Sequence, residues 1–256
     1  VYTYARSHAT TSSSAALVFG FLVTADVAAV PLGSSLPAAA QKAPARLTNQ
    51  QFWKLVTAFS EPDGTFHSEN LVSNEFRFQE VMPRLVRTAK PGRAYVGVGP
   101  EQNFTYMAAL KPDLAFIVDI RRGNLDLHLM YKALFEMAAD RADFVSALFA
   151  RPRPAGLSAA STAAQMFAAY EQVSPSEALY TKTLKAIDDR LAHTHGFALT
   201  PNDYKGIEFV YHSMFMDGPD IHYELNGGFG FGRGFPTYGD LMAATDEAGR
   251  SWSYLS

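Results

Sequence analysis

The chain has 256 residues, 48% of them apolar and 18% charged, which is ample material for a buried core and excludes general disorder. At about 150 residues per domain it makes one large domain or two small ones. A net charge of −3 leaves no electrostatic footprint for nucleic acid, and the absence of cysteine removes disulfide scaffolds, thiolate metal sites and cysteine nucleophiles together.

Residues 1–40 read differently from the rest. Between Arg6 and Lys42 the only charged residue is Asp26, and residues 15–30 form an apolar run. That run is short for a membrane span, which needs roughly 20 apolar residues, and Asp26 would stand inside it. It is followed by Pro31 and an Ala38-x-Ala40 step, the pattern of a secretory signal. A mobile Ala/Ser-rich tail is the competing reading. The expectation is a leader over 1–40, an exported protein with no stable membrane span, and one domain over 41–256.

Thr48 with Gln51 makes a capping box, and Phe52, Leu55, Val56 and Phe59 follow at helical spacing. A turn cluster at 61–64 and a polar loop at 68–75 come next, with Ser73 or Asn74 placed to cap a helix that reaches about Thr88. In that helix Val81 and Leu85 are expected to face inward. Over residues 93–98, Tyr95, Val96 and Val98 are β-branched or aromatic and the segment is bounded by glycines, which predicts a strand. A Gly97-Val98-Gly99 turn leads into a helix over 104–110. Residues 114–118 then form a continuous apolar run, the signature of a strand buried on both faces of a parallel sheet, with Asp119 at its end. Residues 93–119 are thus one β-α-β unit.

Beyond it the chain turns helical. Leu127, Met130, Leu134 and Met137 mark the buried stripe of one helix, with Lys132 and Glu136 on its solvent side. Ser174-Pro175 opens another helix, with Tyr180, Leu184, Ile187 and Leu191 facing in. Thr200-Pro201 opens a third, followed by a glycine-rich run over 226–234 and a last helix over 238–248. No second complete βα repeat follows Asp119.

The turn after the first strand carries the sharpest chemical signal. Two glycines at the end of a parallel strand let a ligand approach the backbone, and the following helix start offers amides. Gly97 and Gly99 fit that role, with Asn103 closing the turn. Asp119 follows Gly97 by 22 residues, near the spacing at which an acid takes ribose hydroxyls. Glu101 at the helix start opposes a pyrophosphate, which disfavours dinucleotides and leaves room for an ammonium group. Arg121 and Arg122 either neutralise nearby acids or bind an anionic partner. His193 and His195 do not share a helix face, and His212 and His222 meet no metal-ligand spacing, so no metal site is expected. A carboxylate hydrolase using Glu69 or Glu101 with Asp119 rests on residue type alone.

The strings over 59–75, 95–106, 116–154 and 235–255, among them YVGVGPEQNFTY and FIVDIRRGNLDLHLMYKALFEM, resemble a family of uncharacterised, often exported bacterial proteins. That family is similar to the class I S-adenosylmethionine methyltransferases. The resemblance implies an α/β, Rossmann-like parallel sheet wrapped in many helices. It implies Gly97 and Gly99 at the methionine part of S-adenosylmethionine and Asp119 at the ribose, with Glu101 and Asn103 also lining the crevice. No methyl acceptor and no catalytic residue come with it. Tyr95 and Glu101 depart from the methyltransferase pattern, where an acid and a glycine are usual. Relatives that continue beyond residue 256 with further strands would leave this chain with part of the sheet only. The alternative is an exported, non-catalytic binding or structural protein that keeps the fold.

Overall fold

In the computed structural model, residues 2–5, 16–19, 46–61, 70–75, 77–223 and 234–256 are described. Glu69 and most of the glycine-rich run lie outside them, as does most of the leader. The architecture is mixed α/β. The sheet has the order β2-β1-β4-β3, formed by β1 (Tyr2–Ala5), β2 (Ala16–Phe19), β3 (Ala94–Val98) and β4 (Leu114–Val118). Only β3 and β4 are parallel, while β1 pairs antiparallel with both β2 and β4. The two N-terminal strands fall where the sequence placed none. Four residues each give too short a pattern to stand out from an apolar segment.

Nine α-helices lie among the described residues: α1 (Asn49–Phe59), α2 (Phe78–Thr88), α3 (Gln102–Leu110), α4 (Arg122–Met137), α5 (Arg141–Leu148), α6 (Ala163–Tyr170), α7 (Glu177–Asp188), α8 (Pro201–Asp217) and α9 (Tyr238–Ala243). Local chemistry explains most of their starts. Thr48, Thr162, Thr200 and Thr237 each close a capping box with the residue three positions on, satisfying two orphan amides per helix. The cap of α7 is Ser176, two residues later than the Ser-Pro signal indicated. The start of α2 has no side-chain cap, because Ser73 instead accepts from the Glu75 amide at 3.1 Å. Its inward residues are Phe78, Gln79 and Met82; Val81, expected inside, is exposed. The final helix ends at Ala243, and the chain then winds around Asp246, which accepts from the amides of Ala248 and Arg250 and from Trp252 Nε1. Those bonds, the Trp252 one foremost, hold its carboxyl down at about 2.

The core is organised by α4. All eleven residues from Asn124 to Leu134 are buried, so the helix is enclosed all round rather than striped. Leu127, Met130 and Leu134 are inside as expected, and Met137 is half-buried. Lys132 and Glu136 are not on a solvent face, which corrects the sequence expectation. Lys132 is 5% exposed and bonds Glu136 at 2.6 Å, and Glu136 also meets His195 Nε2 at 2.6 Å. Polar spacing read as surface is here a buried network, because the Phe52 ring of α1 lies against Lys132 and His195, just past the π-helical turn at Asp189–Thr194, meets Glu136. Gly206 lets α8 approach α4: a Cβ there would lie 2.1 Å from Asp126 Oδ2.

On the sheet, Tyr95, Gly97, Ala115 and Ile117 share the face toward α3, and the last two are fully buried. The other face is open: Val96 and Val98 are 67% and 68% exposed, and Leu114, Phe116 and Val118 are only half-buried. The β4 strand therefore alternates and is not buried on both faces, since no described residue covers Val96 and Val98. Phe104 of α3 ties the covered side together, its ring edge-on to Tyr131, Phe135 and Tyr254 at 5.1–5.4 Å.

Candidate ligand-binding site

The β-α-β unit brings the glycine turn and Asp119 side by side. Val98 pairs with Val118 in the parallel register, and the Gly99 amide donates to the Val118 carbonyl at 3.3 Å. Both strand ends therefore reach one edge, as a β-α-β crossover requires. The two glycines are needed for different reasons. A Cβ on Gly97 would sit 1.9 Å from Asn103 Oδ1 and 2.6 Å from the Tyr95 hydroxyl, which themselves share a 2.6 Å hydrogen bond. Gly99, itself buried, has φ +80, a conformation costly for L side chains, and a Cβ there would touch Gln102 Nε2 at 3.7 Å.

The turn is fastened by side chains that donate to its carbonyls. Asn103 Nδ2 bonds the carbonyls of Val98, Gly99 and Pro100 at 2.8–3.2 Å, and Gln102 Nε2 bonds Val98 at 3.0 Å. From the other side His128 Nε2 lies 3.0 Å from the Gly99 carbonyl. A carbonyl only accepts, so Nε2 carries the proton. Burial keeps the ring neutral, down to about 4, against the opposing pull of that carbonyl and of Asp119.

Neither acid of the expected crevice is open. Glu101 is fully buried, its two oxygens accepting from the Ser73 amide at 3.2 Å. Burial raises its carboxyl to about 7, despite its own amide and that of Ser73, which favour the charge. Tyr131, Tyr238 and Tyr254 lie near enough to feel its charge, and the Tyr238 and Tyr254 hydroxyls are bonded to each other. Asp119 is held by Arg121 through Nε at 3.0 Å, Nη2 at 2.9 Å and the backbone amide at 2.9 Å. Arg122 pairs with Asp203 at 2.6 Å. Both arginines therefore neutralise acids, one of the two roles open from sequence.

Because burial raises Glu101, its ionisation opposes folding as pH climbs from the ordinary carboxylate range near 4.3 towards 7. Glu101→Gln is expected to raise stability at pH 8 by about 1–2 kcal/mol, the scale of an unpaired buried polar group. It should have little effect at pH 4. Urea unfolding at the two pH values measures this, and an equal effect at both would place the charge elsewhere.

Asn124, His128 and the three tyrosines escaped the sequence reading. They sit on helix faces and in loops whose burial comes from distant elements, and only the i, i+4 spacing of Asn124 and His128 hints at a shared face. Among the described residues no group of three or more His, Asp or Glu is placed to hold a metal ion, and no helix is long and apolar enough to cross a membrane.

The fold and the site define an α/β protein with a glycine turn and an acid at the edge of two parallel strands. The family model of a domain of unknown function, DUF7790, matches residues 70–211, more than half of the chain, and the chain belongs to that family. No curated protein and no solved structure matches it.

Proposed function

We propose that this chain binds a nucleoside-type small molecule at the shared edge of β3 and β4, with a Rossmann-like, methyltransferase-like core and S-adenosylmethionine as its cofactor. The observation that carries this reading is the Gly99 amide bonded to the Val118 carbonyl, which sets the glycine turn directly beside Asp119. Three bonds from Arg121 leave one lone-pair site on the Asp119 carboxylate for a ribose hydroxyl. Methyl transfer in such a site draws its rate mainly from positioning the acceptor in line with the methyl group.

Calorimetric titration of the full chain with S-adenosylmethionine and S-adenosylhomocysteine tests the reading. Heat of binding is expected with both. Asp119→Asn should weaken it by about 1.5–3 kcal/mol, the range for hydrogen bonds to a charged group. Gly99→Val should abolish binding, since it strains the φ +80 backbone and fills the approach.

The second reading, an exported, non-catalytic protein that keeps the fold, is favoured by the internal use of charge. Asp119 is paired with Arg121 and Glu101 is buried. The absence of heat with either ligand would transfer the case to it.

A further inference from the structure

A run of cations without acids lies at the opposite end of the parallel strands from the glycine turn. Residues 84–93 (RLVRTAKPGR) carry Arg84, Arg87, Lys90 and Arg93 and no Asp or Glu, on a chain whose net charge is −3. They form the end of α2 and the turn into β3. Lys111, directly after α3, reaches the same edge: the Asp113 amide donates to the Arg93 carbonyl at 3.2 Å, and Ala94 pairs with Leu114 where the two strands begin. Asp113 is the acid at this edge, its carboxylate turned over Gly92.

All five cations are exposed, and among the described residues none of their side chains has an ion pair or a hydrogen bond. Elsewhere the chain compensates its arginines: Arg121, Arg122, Arg153 and Arg250 each meet a carboxylate at 2.9 Å or less. Helix ends explain part of the difference, since Arg87 and Lys111 stand at the negative ends of α2 and α3. They leave Lys90 and Arg93 unexplained. Like charges held on one edge repel one another, and an anionic surface laid against them relieves that repulsion.

The apolar neighbours indicate which anionic surface. Val81 and Val86 of α2 are 53% and 39% exposed, and Val81 shares a helix face with Arg84 and Thr88. Beyond Arg93 the open face of the sheet begins with Ala94 and Val96, both exposed. A bilayer takes valines at the boundary of its acyl chains while its headgroups take the cations. Nucleic-acid bases call instead for stacking aromatics or amide side chains. Gln79, the amide of α2, is buried and already bonded to Leu241 and Trp252.

We infer that this edge, made of the end of α2 with Lys90, Arg93 and Lys111, docks the protein on an anionic lipid bilayer, with the glycine turn at the far end of the strands. The inference stands apart from the nucleoside reading.

The test is co-sedimentation of the full chain with vesicles of phosphatidylcholine alone and of phosphatidylcholine mixed with phosphatidylglycerol. Binding is expected to the mixed vesicles, and should fall as salt rises from about 0.1 M to 1 M, where the screening length shrinks from about 10 Å to 3 Å. Arg84→Gln combined with Arg87→Gln should weaken it about fivefold per charge removed. Lys182→Gln combined with Lys205→Gln removes the same charge from exposed positions of α7 and α8 and should leave binding unchanged. Circular dichroism should show both variants folded, because no bonded side chain is lost. Should the arginine pair not fold, Lys90→Gln with Arg93→Gln takes its place, with the same expected loss. Equal binding to both kinds of vesicle overturns the inference and points to the apolar run at 15–30. Equal losses in the two double variants overturn it in favour of net charge alone. Binding to neither vesicle overturns it too, and a loss by the arginine pair on a duplex oligonucleotide would then give the edge to nucleic acid.

Discussion

Leu134→Ala is expected to cost about 2–5 kcal/mol of folding stability, the range for a large-to-small change in a packed core. Leu134 is wholly buried in the half of α4 where that helix meets α5, α7 and α8. A helix enclosed on every side cannot shift toward the gap without uncovering another face, so the cavity would persist and the cost should fall in the upper part of the range. Denaturant unfolding, with the slope checked for constancy, measures it. A loss below about 0.5 kcal/mol, typical of surface positions, would contradict the placement of α4 at the centre.

Glu136→Gln is expected to cost a comparable amount, about 3–5 kcal/mol, because it leaves the Lys132 ammonium buried without its counter-charge. Lys132 is 5% exposed, and its remaining neighbour of note is the Phe52 ring at 5.5 Å, a weak substitute for a carboxylate at 2.6 Å. Glu136 also bridges α4 to His195, whose ring stacks on Phe197 at 5.1 Å, so the substitution loosens the junction after α7 too. Burial alone would raise the Glu136 carboxyl, but the His195 hydrogen bond and the Lys132 charge outweigh it and hold it below the ordinary range. A depressed folded value means the stabilisation is present above the unfolded value near 4.3 and lost as pH falls through the folded one. The gap between wild type and Glu136→Gln should thus be full at pH 6–7 and shrink below about pH 4. A gap independent of pH would show that shape rather than charge sets the cost. Lys132→Met combined with Glu136→Leu should recover much of the loss, since an apolar replacement of a buried pair is often tolerated.

The sequence alone determined the β3-α3-β4 unit and the starts of α1, α8 and α9. Those signals are local: glycines and prolines bounding β-branched runs, and a threonine three residues before a Gln or Asp. They predicted β4 at 114–118, where it lies, the capping box of α1, which forms, and the start of α8 at Thr200-Pro201. The crossover then obliged the glycine turn and Asp119 to share an edge, so that juxtaposition was legible before any coordinates.

What the sequence left open was which polar residues face water. Lys132 and Glu136 read as the wet side of an amphipathic helix, because periodicity records the contrast between faces and says nothing of what packs on each. Tertiary structure decided it by bringing Phe52 of α1 against Lys132 and His195 against Glu136. In the same way Asp119 and Glu101 read as open acids. Arg121, two residues from Asp119, closes one, and Ser73, far away in sequence, closes the other. The formation of a pair depends on rotamers and on the surrounding burial, which favours compensation of charge in a low dielectric over hydration.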